Sequence, residues 1–226
     1  MSGAAEAGKT TIMAIDTATT KVVVAVGTLA GRLIEATDWP AGYRHGETLL
    51  PAIASLLGRL EIARTSLAAI VVGTGPGAFT GLRVGIATAK GLAHALGVPI
   101  IGISTADALL AGAPAGAALL LPAGPADRLV VRRGSAARLL PAGEAAAWLA
   151  DATVVAVDLA GRAPADALER GEEARGRLGG ALIAIGAARL AIGEVDDLAR
   201  LVPEYVTLPR GVAGVGGEVS WSRDPR

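Results

Sequence analysis

The chain has 226 residues, 52% of them apolar, with 21 Lys and Arg balancing 21 Asp and Glu and with no cysteine. That length can bury the core of one large domain or two small lobes. The missing cysteine excludes disulfides, thiolate metal sites and a cysteine nucleophile, and no apolar run approaches the ~18 residues of a membrane-spanning helix. A balanced charge and only 3% aromatic residues argue against a chain that grips RNA by itself, because phosphate contacts need cations and single-strand binding needs stacking platforms.

Residues 1–10, MSGAAEAGKT, are small and polar with no apolar run, so a flexible leader is expected rather than a signal peptide, and the expected location is cytoplasmic. Thr11–Asp16 and Lys21–Val26 are β-rich runs joined by the polar turn Thr17–Thr20, and a glycine turn leads into a third run at Arg32–Thr37. Leu49, Leu50, Ile53, Leu56, Leu57 and Leu60 recur at helical spacing from Glu47 onward, with Pro51 tolerated in the first turn. Leu67–Val72 reads as a buried strand, Thr80–Leu96 as a helix closed by Gly97, and Val98–Ile103 as a further strand. The second half repeats this order faintly: strands at Ala117–Leu121, Arg128–Arg132 and Ala137–Leu140, a helix at Gly143–Ala150, a strand at Thr153–Val157 and a helix at Leu182–Ile192. Meander, helix, strand, helix, strand is the order of a ribonuclease-H-like lobe. The expected division is a lobe over 11–104, a degenerate second lobe over 105–210 and a flexible tail over 211–226. That tail is glycine-rich.

Between the strand ending near Val72 and the following helix lies a loop with glycines at Gly73, Gly75, Gly77 and Gly81. Such loops at helix starts often hold phosphates, yet two common motifs fail here. A Walker loop needs Lys and Ser/Thr after its last glycine, whereas Gly81 is followed by Leu82 and Arg83. The match Gly73-x-Gly75-x-x-Ala78 to a dinucleotide fingerprint lacks its ribose carboxylate, since no acidic residue lies between Glu61 and Asp107.

The run GTGPGAFTGLRVGIATAKGLAHALGVPIIGIST resembles the signature of the TsaB (YeaZ) family, as do AIDTATTKVVVAV from Ala14, HGETLLPAI from His45 and, more weakly, PEYVTLPR from Pro203. The resemblance implies an α/β, two-lobed actin-like (ASKHA) fold built from two ribonuclease-H-like lobes. It also implies a non-catalytic scaffold and activator subunit of the bacterial complex that forms threonylcarbamoyladenosine in tRNA. Its implied partners are a TsaD-like catalytic paralogue, a TsaE-like ATPase and a second copy of itself, with tRNA reached only through the complex. No cofactor is expected on this chain alone, and ATP or ADP would act at the level of the complex. Family members commonly carry an Asp-Ala-Arg-x-x-Glu-Val-Tyr segment in the second lobe; PAGPADRLVV at Pro122–Val131 departs from it, so that lobe's contacts do not transfer.

Several residues can then be weighed. Asp16, at a strand end, stands where actin-like kinases aim a carboxylate at metal or phosphate, and the competing reading is an Asx cap of its own turn. On the first reading, Asp16 with Thr17, Gly75, Gly77 and Gly81 is a candidate vestigial nucleotide site, for which Asp158 is the candidate second carboxylate. The family's catalytic paralogue carries an H-x-x-x-H metal pair, but His45 and His94 are far apart, so no metal is expected. Ser66, Ser104 and Ser135 lack His and Asp partners at recognisable spacing. A glycoprotease-like peptidase and a small actin-like kinase or ATPase are therefore the alternatives to a subunit without catalytic residues. Glycines inside the second helix cost about 1 kcal/mol each relative to alanine, which calls for close packing. The expected partner interface comprises Leu49, Leu50, Ile53, Leu56, Leu57, Arg83, Gly85, Ile86, Ala89 and Lys90.

Overall fold

A computed structural model describes residues 9–40, 42 and 45–206, with the side chain of His45 left out. The leader over 1–8, the tail over 211–226 and the 207–210 end of the PEYVTLPR segment lie outside the described residues.

The expected meander forms as β1 (Thr11–Asp16), β2 (Lys21–Thr28) and β3 (Leu33–Pro40), each strand antiparallel to the one before. Helix α1 (His45–Arg59) then leads through a short 3-10 turn to β4 (Leu67–Gly75), and α2 (Phe79–Leu96) leads to β5 (Ile100–Ser104). Both later strands are parallel additions, giving the order β3-β2-β1-β4-β5. Gly97 ends α2 in the left-handed conformation, and its N–H reaches back to the last turn, the glycine cap that the sequence signals.

A short helix, α3 (Thr105–Leu110), follows β5 directly, capped by Ser104, whose Oγ accepts from the Asp107 amide. The second sheet runs β8-β7-β6-β9 from β6 (Ala118–Pro122), β7 (Asp127–Arg132), β8 (Arg138–Pro141) and β9 (Val154–Ala156), with α4 (Ala142–Trp148) between the last two.

Helix α5 spans Ala165–Ala191, where the sequence suggested only Leu182–Ile192. Its first half hides from periodicity because its buried face is built of small residues. A Cβ on Gly171 would meet the Ala156 carbonyl oxygen at 1.8 Å, one on Gly179 the Ala25 Cβ at 3.0 Å, and one on Gly186 the Val71 side chain at 2.4 Å. These three glycines let one continuous helix lie on both sheets, and a close-packed small face carries little hydrophobic periodicity.

Strand alternation sorts the core. Ile12 and Ala14 face α5 with Val71, Ile101, Leu178, Leu182 and Ile183. Met13 and Ile15 face the other way, with Val24, Ile70 and Val72, and are covered by Leu49, Ile53, Leu56, Ile86 and Ala89 from α1 and α2. A third cluster joins the second sheet to α4 through Val130, Leu120, Ala145 and Leu149.

Candidate functional site

The ends of β1 and β4 bring the Thr17–Thr20 turn against the glycine loop. Asp16 is fully buried there: its Oδ1 accepts from the Ala18 amide at 2.9 Å and its Oδ2 from the Thr105 hydroxyl at 2.6 Å. Thr105 in turn accepts from the Gly75 amide at 3.1 Å, tying β1, β4 and α3 together. Burial pushes the Asp16 carboxyl up to about 6, against the opposing pull of the Thr105 and Ala18 hydrogen bonds. A Cβ on Gly73 would lie 1.8 Å from Asp16 Oδ2, so the carboxylate fills the space that this glycine leaves.

The glycine loop is likewise packed against its own chain. The Ala78 amide donates to the Ala18 carbonyl at 2.7 Å, and a Cβ on Gly77 would sit 2.1 Å from the same oxygen. Gly75 takes a positive φ of 105°, and Gly81 accepts the Thr17 hydroxyl at 2.7 Å. Asp16, Thr17, Gly75, Gly77 and Gly81 thus lie around one turn, with Thr17 bonded to Gly81 and with Asp16 and Gly75 both bonded to Thr105; the Asp16–Ala18 bond is of the Asx type.

Asp158 follows β9 at φ 60°, and its carboxylate reaches the same turn, accepting from the Thr20 amide at 2.8 Å and the Thr20 hydroxyl at 2.5 Å. Arg175 from α5 closes the group with an ion pair at 2.5 Å. Beside it, Thr19, Thr20, Gly77, Ala78, Asp158 and Arg162 line a cleft of about 510 Å³ between the two sheets. Arg175 and Thr105 were not singled out from sequence. Arg175 lies in the half of α5 that periodicity missed, and Thr105 is one threonine among several with no motif of its own.

The predicted partner interface needs a correction. Leu49, Ile53, Leu56, Leu57, Gly85, Ile86 and Ala89 are all buried in the chain's own core, where α1 and α2 cover the first sheet. A Cβ on Gly85 would meet Thr17 Oγ1 at 2.2 Å, so this glycine serves the internal Thr17–Gly81 contact. Gly91 differs: it is exposed, and a Cβ there would meet nothing within 4 Å. Of the named set, Leu50 is exposed by 53%, Arg83 is exposed, and Lys90 is partly exposed with Nζ on the Ala199 carbonyl at 3.2 Å. Leu50, Ala54, Gly58 and Leu92 line an outward-facing groove of about 810 Å³ along α1 and α2. At the start of α2, Arg83 lies 3.7 Å over the Phe79 ring and donates to the Tyr205 hydroxyl at 2.9 Å. This cluster ties the PEYV segment to the signature helix and was not foreseen.

The residues considered for other chemistries have structural posts. Ser104 caps α3 and donates to Gly75, Ser66 Oγ donates to Ala63 at 2.6 Å, and Ser135 lies in the β7–β8 turn. His94 is exposed near the end of α2, and the side chain of His45 lies outside the described residues. Among the described residues, no group of three or more His, Cys, Asp or Glu could hold a metal ion, and no helix is long and apolar enough to cross a membrane.

Residues 40–151 match the sequence profile of TsaD, tRNA N6-adenosine threonylcarbamoyltransferase. An uncharacterized protein of Mycobacterium leprae is 43% identical over 102 residues, which are 43% of this chain and 28% of that protein. The tRNA threonylcarbamoyladenosine biosynthesis protein TsaB of Escherichia coli is 37% identical over 105 residues, 45% of this chain and 43% of that protein. The chain thus spans less than half the length of these curated relatives. The solved structure of YeaZ from Pseudomonas aeruginosa superposes with a TM-score of 0.65 at 22% identity, covering 87% of this chain and all of that one, a likeness of fold.

Proposed function

We propose that the chain is a member of the TsaB (YeaZ) family, with the actin-like α/β fold of two ribonuclease-H-like lobes, and that it is a non-catalytic subunit in the biosynthesis of threonylcarbamoyladenosine in tRNA. The observation that carries the reading is the similarity to TsaB relatives. The internal use of the Asp16 and Asp158 carboxylates supports the non-catalytic part. Asp16 is spent on Ala18 and Thr105, and Asp158 on Thr20 and Arg175. A kinase or ATPase of this fold needs such groups free for metal and phosphate.

The subunit's partner in this reading is a TsaD-like catalytic paralogue, with a TsaE-like ATPase acting on the assembled complex and nucleotide bound there. Its docking surface is the outer side of α1 and α2, around Leu50, Ala54, Gly58 and Gly91. Glycine in a helix interior costs about 1 kcal/mol; Gly85 has a packing reason inside the chain, and Gly58 and Gly91 have none, since a Cβ at either meets nothing within 4 Å. Close approach of another helix supplies such a reason.

Reconstitution tests this. Purified chain, a TsaD-like paralogue, threonylcarbamoyl-AMP and tRNA are combined, and modified adenosine is counted with each protein omitted in turn. Product is expected only when both proteins are present. Product from this chain alone would refute the non-catalytic reading, and full activity of the paralogue without it would refute the activator role.

A further inference from the structure

The surroundings of Asp158 are those of a bound ligand. Its carboxylate accepts from a backbone amide, a hydroxyl and a guanidinium: the Thr20 N–H at 2.8 Å, the Thr20 Oγ1 at 2.5 Å and the Arg175 Nη1 at 2.5 Å. Thr20 belongs to the turn after β1, Arg175 to α5, and Asp158 to the chain leaving β9. This is the donor set by which proteins hold free oxyanions. The Asp158 side chain is only 7% exposed and that of Arg175 12%. Arg175 keeps a donor in reserve: Nη2 pairs with Glu172, while Nε is buried and meets no acceptor among the described residues.

We propose that Thr20 and Arg175 form an oxyanion-binding site that Asp158 fills as an internal ligand. A phosphate or carboxylate group from outside can enter only by displacing Asp158, and doing so cuts the link between the second sheet and the Thr17–Thr20 turn. An anion that binds only the displaced form shifts the molecule toward it. The cleft of about 510 Å³ reaches Thr20 and Asp158 directly and offers the route in. Arg162 stands at this cleft as a second cation, with its guanidinium on the carbonyls of Gly124 and Asp158 rather than on a carboxylate. The tethered carboxylate has a high effective concentration, so millimolar external anions leave the native chain unaffected. This inference stands independently of the subunit reading.

Asp158→Gly is the informative variant, since a φ of 60° suits glycine and the backbone keeps its conformation. Melting temperatures of the full chain and the variant are measured in inorganic phosphate, in acetate and in chloride at matched ionic strength. The native chain is expected to melt alike in all three. Asp158→Gly should melt lower in chloride and recover saturably with phosphate or acetate, by about 3–6 °C at tenfold the dissociation constant. Comparing the two anions tells whether the site prefers a phosphate or a carboxylate. Adding Arg175→Gln should abolish the recovery. The proposal is overturned if folded Asp158→Gly is indifferent to both anions, if the recovery survives Arg175→Gln, or if the native chain responds equally. It is overturned too if Asp158→Gly fails to fold in phosphate and acetate as it does in chloride, since the donors then cannot accept an external anion.

Discussion

A carboxylate sealed in a core at the end of a strand is costly when charged, and Asp16 is such a group. Its carboxyl is raised from 3.8 to about 6, first by burial, with the hydrogen bonds from Thr105 and Ala18 offsetting part of the effect. In the unfolded chain it loses its proton near the ordinary value; in the folded chain it holds the proton until about pH 6. Between those values the native state binds more protons than the unfolded state, so the Asp16 contribution to stability falls as pH rises through the window. At about 1.4 kcal/mol per pH unit the loss amounts to about 3 kcal/mol. Asp16→Asn removes the ionisation while keeping the shape. Its stability relative to the native chain should therefore climb with pH from 4 to 6.5 and level off above that. Urea unfolding of both proteins at a series of pH values checks this, and a constant difference across the window would show that Asp16 does not titrate there. Thr105→Val at the same centre strands both Gly75 N–H and Asp16 Oδ2. Leaving buried polar groups unpaired costs about 1–3 kcal/mol each, and a fall of that order in unfolding free energy is expected at neutral pH.

Helix α2 carries two opposite expectations on neighbouring positions. Ala89 is fully buried against the first sheet, so Ala89→Trp should destabilise the chain itself by about 3 kcal/mol, the upper end of usual overpacking costs, before any partner is considered. Gly91→Ala should stabilise it by about 0.5–1 kcal/mol, because the new methyl enters open space and the helix gains propensity. Chemical denaturation separates these cases, and a neutral Ala89→Trp would mean that α2 is not packed as described. The same helix shows what the sequence could disclose. Apolar spacing and the Gly97 cap marked the extent of α2 to within a residue, but spacing does not say which small residue faces inward. Both Gly85 and Gly91 interrupt the helix, and the contact with Thr17 at Gly85 tells them apart. Helix α5 was half hidden for a related reason: Gly171, Gly179 and Gly186 bury a face without adding hydrophobicity. Within the candidate site, the strand-end Asp16 and Asp158 and the glycine loop were legible because turns and strand ends leave compositional marks. Their partners Thr105 and Arg175 were not, since those contacts span 89 and 17 positions of sequence and depend on how the sheets and α5 meet.

At the scale of the molecule, the two sheets share α5 and are pinned together at the turn by Asp158 and Arg175, so the outer side of α1 and α2 stands apart from that junction. A variant on this face can therefore report on association without disturbing the fold. Leu50 is the best placed residue, being 53% exposed beside the groove of about 810 Å³. Leu50→Arg exchanges exposed apolar surface for a charge already in water, and surface changes of this kind shift stability by about 0.5 kcal/mol or less. Against a partner helix the same charge must be stripped of water without a counter-ion, which costs several kcal/mol. Each 1.4 kcal/mol weakens binding tenfold, so association with a TsaD-like paralogue, or with a second copy of the chain, should weaken by a hundredfold or more. Melting temperature and sedimentation are measured together on the same samples. An unchanged melting temperature with lost association places the interface on this face, and undiminished association of a folded Leu50→Arg protein removes Leu50 from it. In the latter case the Phe79–Arg83–Tyr205 cluster at the other end of α2 becomes the next face to test.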